Sequence, residues 1–454
     1  MDCSSTIRSS REVPLAGSVG RPPLLQVSLQ SRRLSRDSVP RSPASQPRVC
    51  VAAVFIEFMA SANTVRTSWI IYSVRQQRSK IEASPYRCYD CMLMAARIPS
   101  LDGLRAVSIA FVVLAHLAGT RGFPFDVDAV HSYGNFGVRI FFVISGFLIT
   151  SILLHEYDQT GHVSLTNFYE RRAYRILPAA YVFLIVGAVA YRSSLRWQDI
   201  IAAFAYFNNF TRERPWIFGH LWSLCVEEQF YLIWPFLFSF FPGWRIHIAI
   251  ATILMGPLVR VFFWTAGMKW LVPYSFPSVA DALATGCLLA LLQPLLANYD
   301  RVFAKRWFFA VPIATSLLPL LESHFNWFYH SAGLTMVHIG IALSIHLAVR
   351  RRFWFFNLKP ITWVGVMSYS LYLWQEPFLN RNSDSVWTSF PLNLALVFAC
   401  GAASHYFVER PFLHLRETRA TMRRADSSRN RNSIQDSSSV LPPNWRASKR
   451  KHES

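Results

Sequence analysis

The sequence predicts an all-α, polytopic integral membrane bundle with about ten transmembrane helices. Three observations carry that prediction. Apolar runs recur with short connections from Leu101 to about residue 408, and several are long enough to cross a bilayer. Only 16% of the residues are charged against 52% hydrophobic, with a mean hydropathy of +0.24, whereas a soluble chain carries about 25% charge. The formal net charge of +20 comes mostly from Arg in the two tails and near the ends of the apolar runs. Positive-inside topology accounts for much of that excess, so nucleic-acid binding is not needed to explain it.

Residues 1–96 are rich in Ser, Arg and Pro. The apolar run Val51–Ala60 is too short to span and contains Glu57, and no apolar signal core follows the first residues. This stretch reads as a disordered extension. MAARIPSLDGLRA would itself make a natural start, which makes Met94 or Met92 a candidate initiator. The seven Cys are scattered, and Cys88 with Cys91 forms a lone CxxC without a second pair or a His cluster. No metal site and no disulfide framework is expected.

The membrane domain is expected over 97–415. Candidate spans fall near 103–120, 136–155, 176–191, 198–211, 226–241, 246–265, 278–298, 306–321, 331–349, 361–380 and 387–408. The segment 198–211 is the weakest, being short and carrying Asn208 and Asn209. Arg87, Arg97 and Arg105 flank the first span, and the tail after Glu409 is Arg-rich. Both ends are therefore expected in the cytoplasm, which favours an even count of ten over eleven. Arg171, Arg172 and Arg175 fall on the same side in that scheme, while Arg121, Arg192 and Arg196 fit it less well. Residues 416–454 are Arg/Ser-rich without apolar period and read as a disordered basic cytoplasmic tail.

Polar groups inside spans default to function, because hydrocarbon penalises them. Arg105 and His116 share the first span. Eleven helical residues separate them by roughly 16 Å and about three turns, so they lie near one face at different depths. The bland alternative is a snorkelling Arg and a hydrogen-bonded bundle His. In ERRAYRILP, Arg172 and Arg175 are three apart and point the same way on a helix. Paired guanidinium groups suit a phosphate ligand, although topology charge and anionic lipid explain them as well. In HLWSLCVEEQFYLIWP, Glu227 and Glu228 sit beside His220, Trp222 and Ser223, with Ser223 four residues before Glu227. Helix capping accounts for one Glu but not for the cluster. The Ser145–Gly146 step suggests close helix packing. Asp281 needs a partner, and Arg260 in the preceding span is the candidate. SYSLYLWQEPF places Ser368, Tyr372, Gln375 and Glu376 in one late helix.

Taken in order, SLDGLRAVSIAFVVLAHL, GVRIFFVISGFLIT, FYERRAYRILPAAY, HLWSLCVEEQFYLIWP, DALATGCLLALL, SYSLYLWQEPF and VERPF resemble the membrane-bound acyltransferase 3 family. These are bacterial O-acyltransferases of polysaccharide and lipopolysaccharide, and the likeness covers roughly 98–415. It implies about ten transmembrane helices and transfer of acetyl or another acyl group from acyl-CoA. The family's basic residue, ten residues and His match Arg105 and His116. Its R-x-x-R pair matches Arg172 and Arg175, and its Trp-Ser-Glu motif matches Trp222, Ser223, Glu227 and Glu228. Two departures stand out. Gln375 replaces the usual His of LYLWH, and the hydrolase-like domain fused to some members has no counterpart in this sequence.

The resemblance and the spacing together lead to a definite expectation. His116 acts as general base or acyl carrier, Arg105 positions the donor or polarises its carbonyl, and Glu227 or Glu228 orients the His or the acceptor. Arg172 and Arg175 hold the phosphates of acyl-CoA, while Trp222 and Ser223 contact substrate. The expected acceptor is a carbohydrate or lipid-linked hydroxyl at a bacterial inner membrane, with membrane lipids as surroundings. The rival is a transporter or flippase without covalent chemistry, since midplane polar groups suit that function too.

Overall fold

The computed structural model describes residues 98–124, 128–303, 305–322 and 324–422. The expected extension over 1–96, with Met92 and Met94, lies outside them, as does the tail beyond Met422. Among the described residues there are helices and no strands. The principal helices are α1 (Pro99–Leu117), α2 (Asp128–Thr160), α3 (Leu165–Ala190), α4 (Trp197–Phe204), α5 (Trp222–Phe240) and α6 (Arg245–Thr265). They continue as α7 (Phe276–Leu291), α8 (Ala310–Leu317), α9 (Leu334–Arg351), α10 (Lys359–Trp374) and α11 (Leu392–Ser404).

Local chemistry sets several boundaries. Pro99 opens α1 at a position where the missing N–H would have no helical partner. The Ser164 hydroxyl caps α3 by accepting from the Asn167 N–H at 3.4 Å. The helix begun by α11 passes through a π turn at His405–Glu409 and continues to Met422. The boundary expected at 415 therefore falls inside it.

The centre is built by α1, α2, α7 and α10, with α2 packed along both α1 and α7 and α1 packed against α10. Close approach is obligatory where α2 crosses α7. A Cβ at Gly146 would collide with the Leu283 carbonyl oxygen, and one at Gly286 with that of Val143. Small residues allow such contacts without side chains between the backbones, as the Ser145–Gly146 step suggested.

Seven helical stretches are long and apolar enough to cross a membrane among the described residues: Pro99–Leu117, Ser132–Thr160, Leu165–Ala190, Pro242–Thr265, Lys269–Leu291, Asn326–Arg351 and Leu392–Met422. The expected total of about ten exceeds this for physical reasons. α10 has 16 residues and α4 has 8, short of the ~20 that span hydrocarbon. α5 has 19 residues but carries Glu227, Glu228 and Gln229, and Arg306–Leu321 is a shorter apolar stretch. Large apolar side chains also face outward, among them Val189 (69%), Leu232 (62%), Leu258 (61%) and Phe407 (81%). Such a surface matches lipid better than water, and the chain is a multi-pass membrane protein.

One polar cluster is locked within the bundle. Arg260 Nη1 lies 3.0 Å from Asp281 Oδ2, and both side chains are fully buried. Thr335 Oγ1 donates to the same oxygen at 2.6 Å, and His338 Nδ1 approaches it to 3.2 Å. The expected Arg260–Asp281 pair is thus present, and Gly256 on α6 leaves room for the Asp281 carboxylate.

Candidate active site

Two cavities open on either side of a shared wall. The smaller, about 100 Å³, is lined by Arg105 of α1, Ser145 of α2, Arg172 and Arg175 of α3, and Ser223 and Glu227 of α5. The larger, about 600 Å³, holds His116 from the other end of α1, with His220, Trp222 and Glu376. Val138 and Tyr372 line both. The rise along α1 therefore separates the two ends of one site, with Arg105 on one side of the wall and His116 on the other.

On the Arg side, three guanidinium groups converge. Arg105 reaches Asp102 Oδ1 at 3.4 Å. Arg172 sits over the Tyr231 ring at 5.1 Å and the Phe168 ring at 5.8 Å. Arg175 lies 3.5 Å from the buried Glu409 carboxylate, which His405 Nδ1 approaches to 2.9 Å. Glu227 Oε1 accepts from Ser145 Oγ at 2.7 Å. The expected convergence of Arg172 and Arg175 is what the α3 spacing produces, because residues three apart share a helix face.

On the His side, a carbonyl fixes the imidazole. His116 Nδ1 lies 2.8 Å from the Val112 carbonyl oxygen, which can only accept, so Nδ1 carries a proton and donates. In the neutral ring Nε2 is then the basic nitrogen. Nε2 stands 3.4 Å from Glu376 Oε1, and His220 Nδ1 lies 3.7 Å from the same oxygen. Trp216 Nε1 donates to the Glu376 carbonyl at 2.9 Å, tying that loop to the cavity wall. The His116 side chain is 26% exposed and that of Glu376 4%, so the ring reaches the cavity while the carboxylate backs it.

The wall between the cavities is hydrogen-bonded. The Tyr372 hydroxyl donates to the His220 carbonyl at 2.6 Å and receives the Ser223 hydroxyl at 2.6 Å. Trp222 packs edge-on against Phe142 at 5.9 Å, under the Arg139 guanidinium at 5.5 Å.

The expected residues divide between the two chambers. Arg105, Arg172, Arg175, Ser223 and Glu227 meet in the smaller, and His116 and Trp222 in the larger. Ser223 and Glu227 share the smaller cavity, but their hydrogen bonds go to Tyr372 and Ser145 rather than to each other. Glu228 lines neither cavity, and its Oε1 is buried without a hydrogen bond. The carboxylate beside His116 is Glu376, not Glu227 or Glu228. The i, i+4 step from Ser223 to Glu227 turns that face of α5 toward the Arg side. Gln375 is fully buried and lines neither cavity. His220, Tyr372 and Glu376 fall inside HLWSLCVEEQFYLIWP and SYSLYLWQEPF, two stretches that carry the family resemblance, and intramembrane polarity was the other signal.

The family model described as acyltransferase domain, acyltransferase 3, matches residues 98–405. A peptidoglycan O-acetyltransferase, OatA, of Listeria monocytogenes is 29% identical over 360 residues, covering 69% of this chain and 55% of that protein. A putative peptidoglycan O-acetyltransferase, YrhL, of Bacillus subtilis is 28% identical over 356 residues, covering 69% and 54%. An O-acetyltransferase, OatA, of Staphylococcus aureus is 29% identical over 377 residues, covering 73% and 60%. The chain thus spans little more than half the length of these relatives. No solved structure matches it.

Proposed function

The chain belongs to the acyltransferase 3 family, and on that footing we propose that it is a membrane O-acyltransferase. It moves an acyl group, acetyl in the simplest case, from acyl-CoA to a hydroxyl of a cell-surface carbohydrate. The observation that carries this reading is the His116–Glu376 pair at 3.4 Å in the larger cavity, with three Arg gathered behind the wall. Naming of relatives for peptidoglycan O-acetylation supports a carbohydrate acceptor.

Acyl-CoA enters from the Arg side. Its phosphates suit Arg172 and Arg175, since guanidinium forks match phosphate oxygens. The cavity there is small, about 100 Å³, so in this reading the nucleotide stays at the mouth and only the pantetheine arm enters. Arg105 steadies the arm, and the thioester reaches the wall at Tyr372. His116 Nε2 takes the proton of the acceptor hydroxyl, whose oxygen attacks the thioester carbonyl carbon. The C–S bond breaks, the acyl group stays on the acceptor oxygen, and the proton passes from His116 to the CoA sulfur. Glu376 stabilises the imidazolium that forms between the two proton transfers. In this topology both termini and the Arg side are cytoplasmic, α5, α8 and α10 complete a ten-helix bundle with the seven longer spans, and the His cavity opens at the opposite face of a bacterial inner membrane.

The test is release of CoA thiol from acetyl-CoA by the purified protein on addition of carbohydrate, with mass spectrometry of the product. Acceptor-dependent thiol release with an added acetyl mass supports acyl transfer. Movement of the carbohydrate across vesicles with the thioester intact would instead establish a transporter.

A further inference from the structure

The larger cavity carries a charge pattern that the transfer chemistry does not require. Arg212, Arg214 and Arg381 line it alongside Trp216, Trp222 and Tyr274. Resting on the acyl-transfer reading above, we infer that this cavity selects an anionic sugar, one bearing a carboxylate or phosphate close to the accepting hydroxyl.

Placement is the first argument. These three Arg lie at the His116 end of α1, across the wall from Arg105, Arg172 and Arg175. Topology concentrates basic residues at one membrane face, so a guanidinium cluster at the opposite face has no topological explanation. Anion recognition supplies one.

Geometry is the second. Arg214 is held as a platform, with its guanidinium 3.9 Å from the Tyr274 ring centre and Nη1 donating to the Thr211 carbonyl at 3.1 Å. Stacked Arg keeps its remaining N–H groups in one plane, suited to carboxylate or phosphate oxygens. Arg212 and Arg381 are exposed on the same cavity. Three guanidinium groups face two carboxylates in the lining, with the Arg381 charge also acting on Glu376. Glu213 lies 3.4 Å from Arg196, and Glu376 faces His116 and His220. The cationic mouth therefore remains net positive.

Shape and apolar chemistry are the third. Half-buried Trp216 offers an aromatic surface against which the C–H face of a pyranose packs, with Trp222 and Tyr274 forming the wall behind, while a volume of about 600 Å³ falls in the range of small-molecule sites. Aromatic faces with peripheral cations describe a charged carbohydrate better than a neutral one or a bare anion.

The experiment measures binding first, so that it does not depend on turnover. Full-length protein in nanodiscs is titrated by tryptophan fluorescence with chitotetraose, with a hyaluronan tetrasaccharide, and with a chitotetraose phosphorylated at its reducing end. The expected result is at least tenfold tighter binding of one or both anionic oligomers, with an affinity that weakens as salt rises. The two anionic arms distinguish carboxylate from phosphate. In the double variant Arg212→Gln/Arg381→Gln the preference collapses toward onefold, and in Arg212→Lys/Arg381→Lys it is largely kept. Equal affinity for all three oligomers, or a preference that survives the Gln variant, overturns the inference. Acetyl-CoA thiol release is assayed in parallel. Anionic preference without thiol release sinks the transfer reading alone, and thiol release without anionic preference sinks this inference alone.

Discussion

The Ser223 and Tyr372 hydroxyls meet at 2.6 Å in the wall between the two cavities. α5 and α10 are thereby joined where the two cavities adjoin. The Tyr372 ring stands between the chambers as a residue of both linings, and its hydroxyl anchors it there. Tyr372→Ala should join the chambers and admit water to the thioester. Thiol release from acetyl-CoA in the absence of acceptor should then rise severalfold. Tyr372→Phe keeps the ring and loses hydrogen bonds worth about 1 kcal/mol each, so its acceptor-free release should stay near wild type. Equal release from the two variants would remove the ring from this role.

His116→Ala should abolish acyl transfer while leaving membrane insertion intact. Glu376→Gln keeps the shape of the side chain but removes the charge that supports an imidazolium at Nε2. General acid–base assistance is worth roughly 10²–10⁴-fold, and the Gln variant should lose about 10²-fold in kcat with little change in acceptor KM. Steady-state kinetics on membranes matched for protein content check both. Wild-type turnover in His116→Ala would exclude it from the mechanism.

Arg172→Gln and Arg175→Gln should raise the KM for acyl-CoA more than that for the acceptor. A hydrogen bond to a charged group contributes about 1.5–3 kcal/mol, or roughly 10- to 100-fold per contact. Arg172 is the cleaner test, since its contacts here are with rings, whereas Arg175 also meets Glu409 at 3.5 Å. Unchanged acyl-CoA KM in the double variant would leave both as topology charges.

Asp281→Ala should destabilise the bundle without touching the site. It strands the fully buried Arg260, and breaking a buried pair on one side costs about 3–5 kcal/mol. Thermal unfolding in detergent should show a clearly lower midpoint. An unchanged midpoint would mean that Thr335, Ser278 and Ser331 satisfy Arg260 unaided.

What could be read from the sequence followed the range of the interactions. Arg172 with Arg175 depends on spacing inside a helix, and Arg260 with Asp281 on two ionisable residues in neighbouring apolar runs. Both pairings are present. Glu376 beside His116 joins the end of α1 to the end of α10, elements far apart in the chain, and nothing local in either stretch encodes that meeting. Glu227 or Glu228 was expected to orient His116 or the acceptor because the resemblance matches them to the family's Trp-Ser-Glu motif. The phase of α5 parts its faces: Trp222 joins His220 on the larger cavity, while Ser223 and Glu227 turn to the smaller. Seven of the expected spans stand out by length and hydropathy among the described residues, while carboxylates or shortness keep α5, α8 and α10 from doing so.

The glycine crossing of α2 and α7 leaves no slack between two backbones. Ser145, on the same turn of α2, forms part of the smaller chamber's lining. That side of the chamber is consequently an anvil, unable to retreat without breaking the Gly146–Gly286 contact. Any family member that evolved to take a bulkier acyl group on this scaffold would have to carve its room from α3 and α10. Trimming Ile176 or Tyr369, which line the same chamber from α3 and α10, is where a designer seeking butyryl or longer donors should begin.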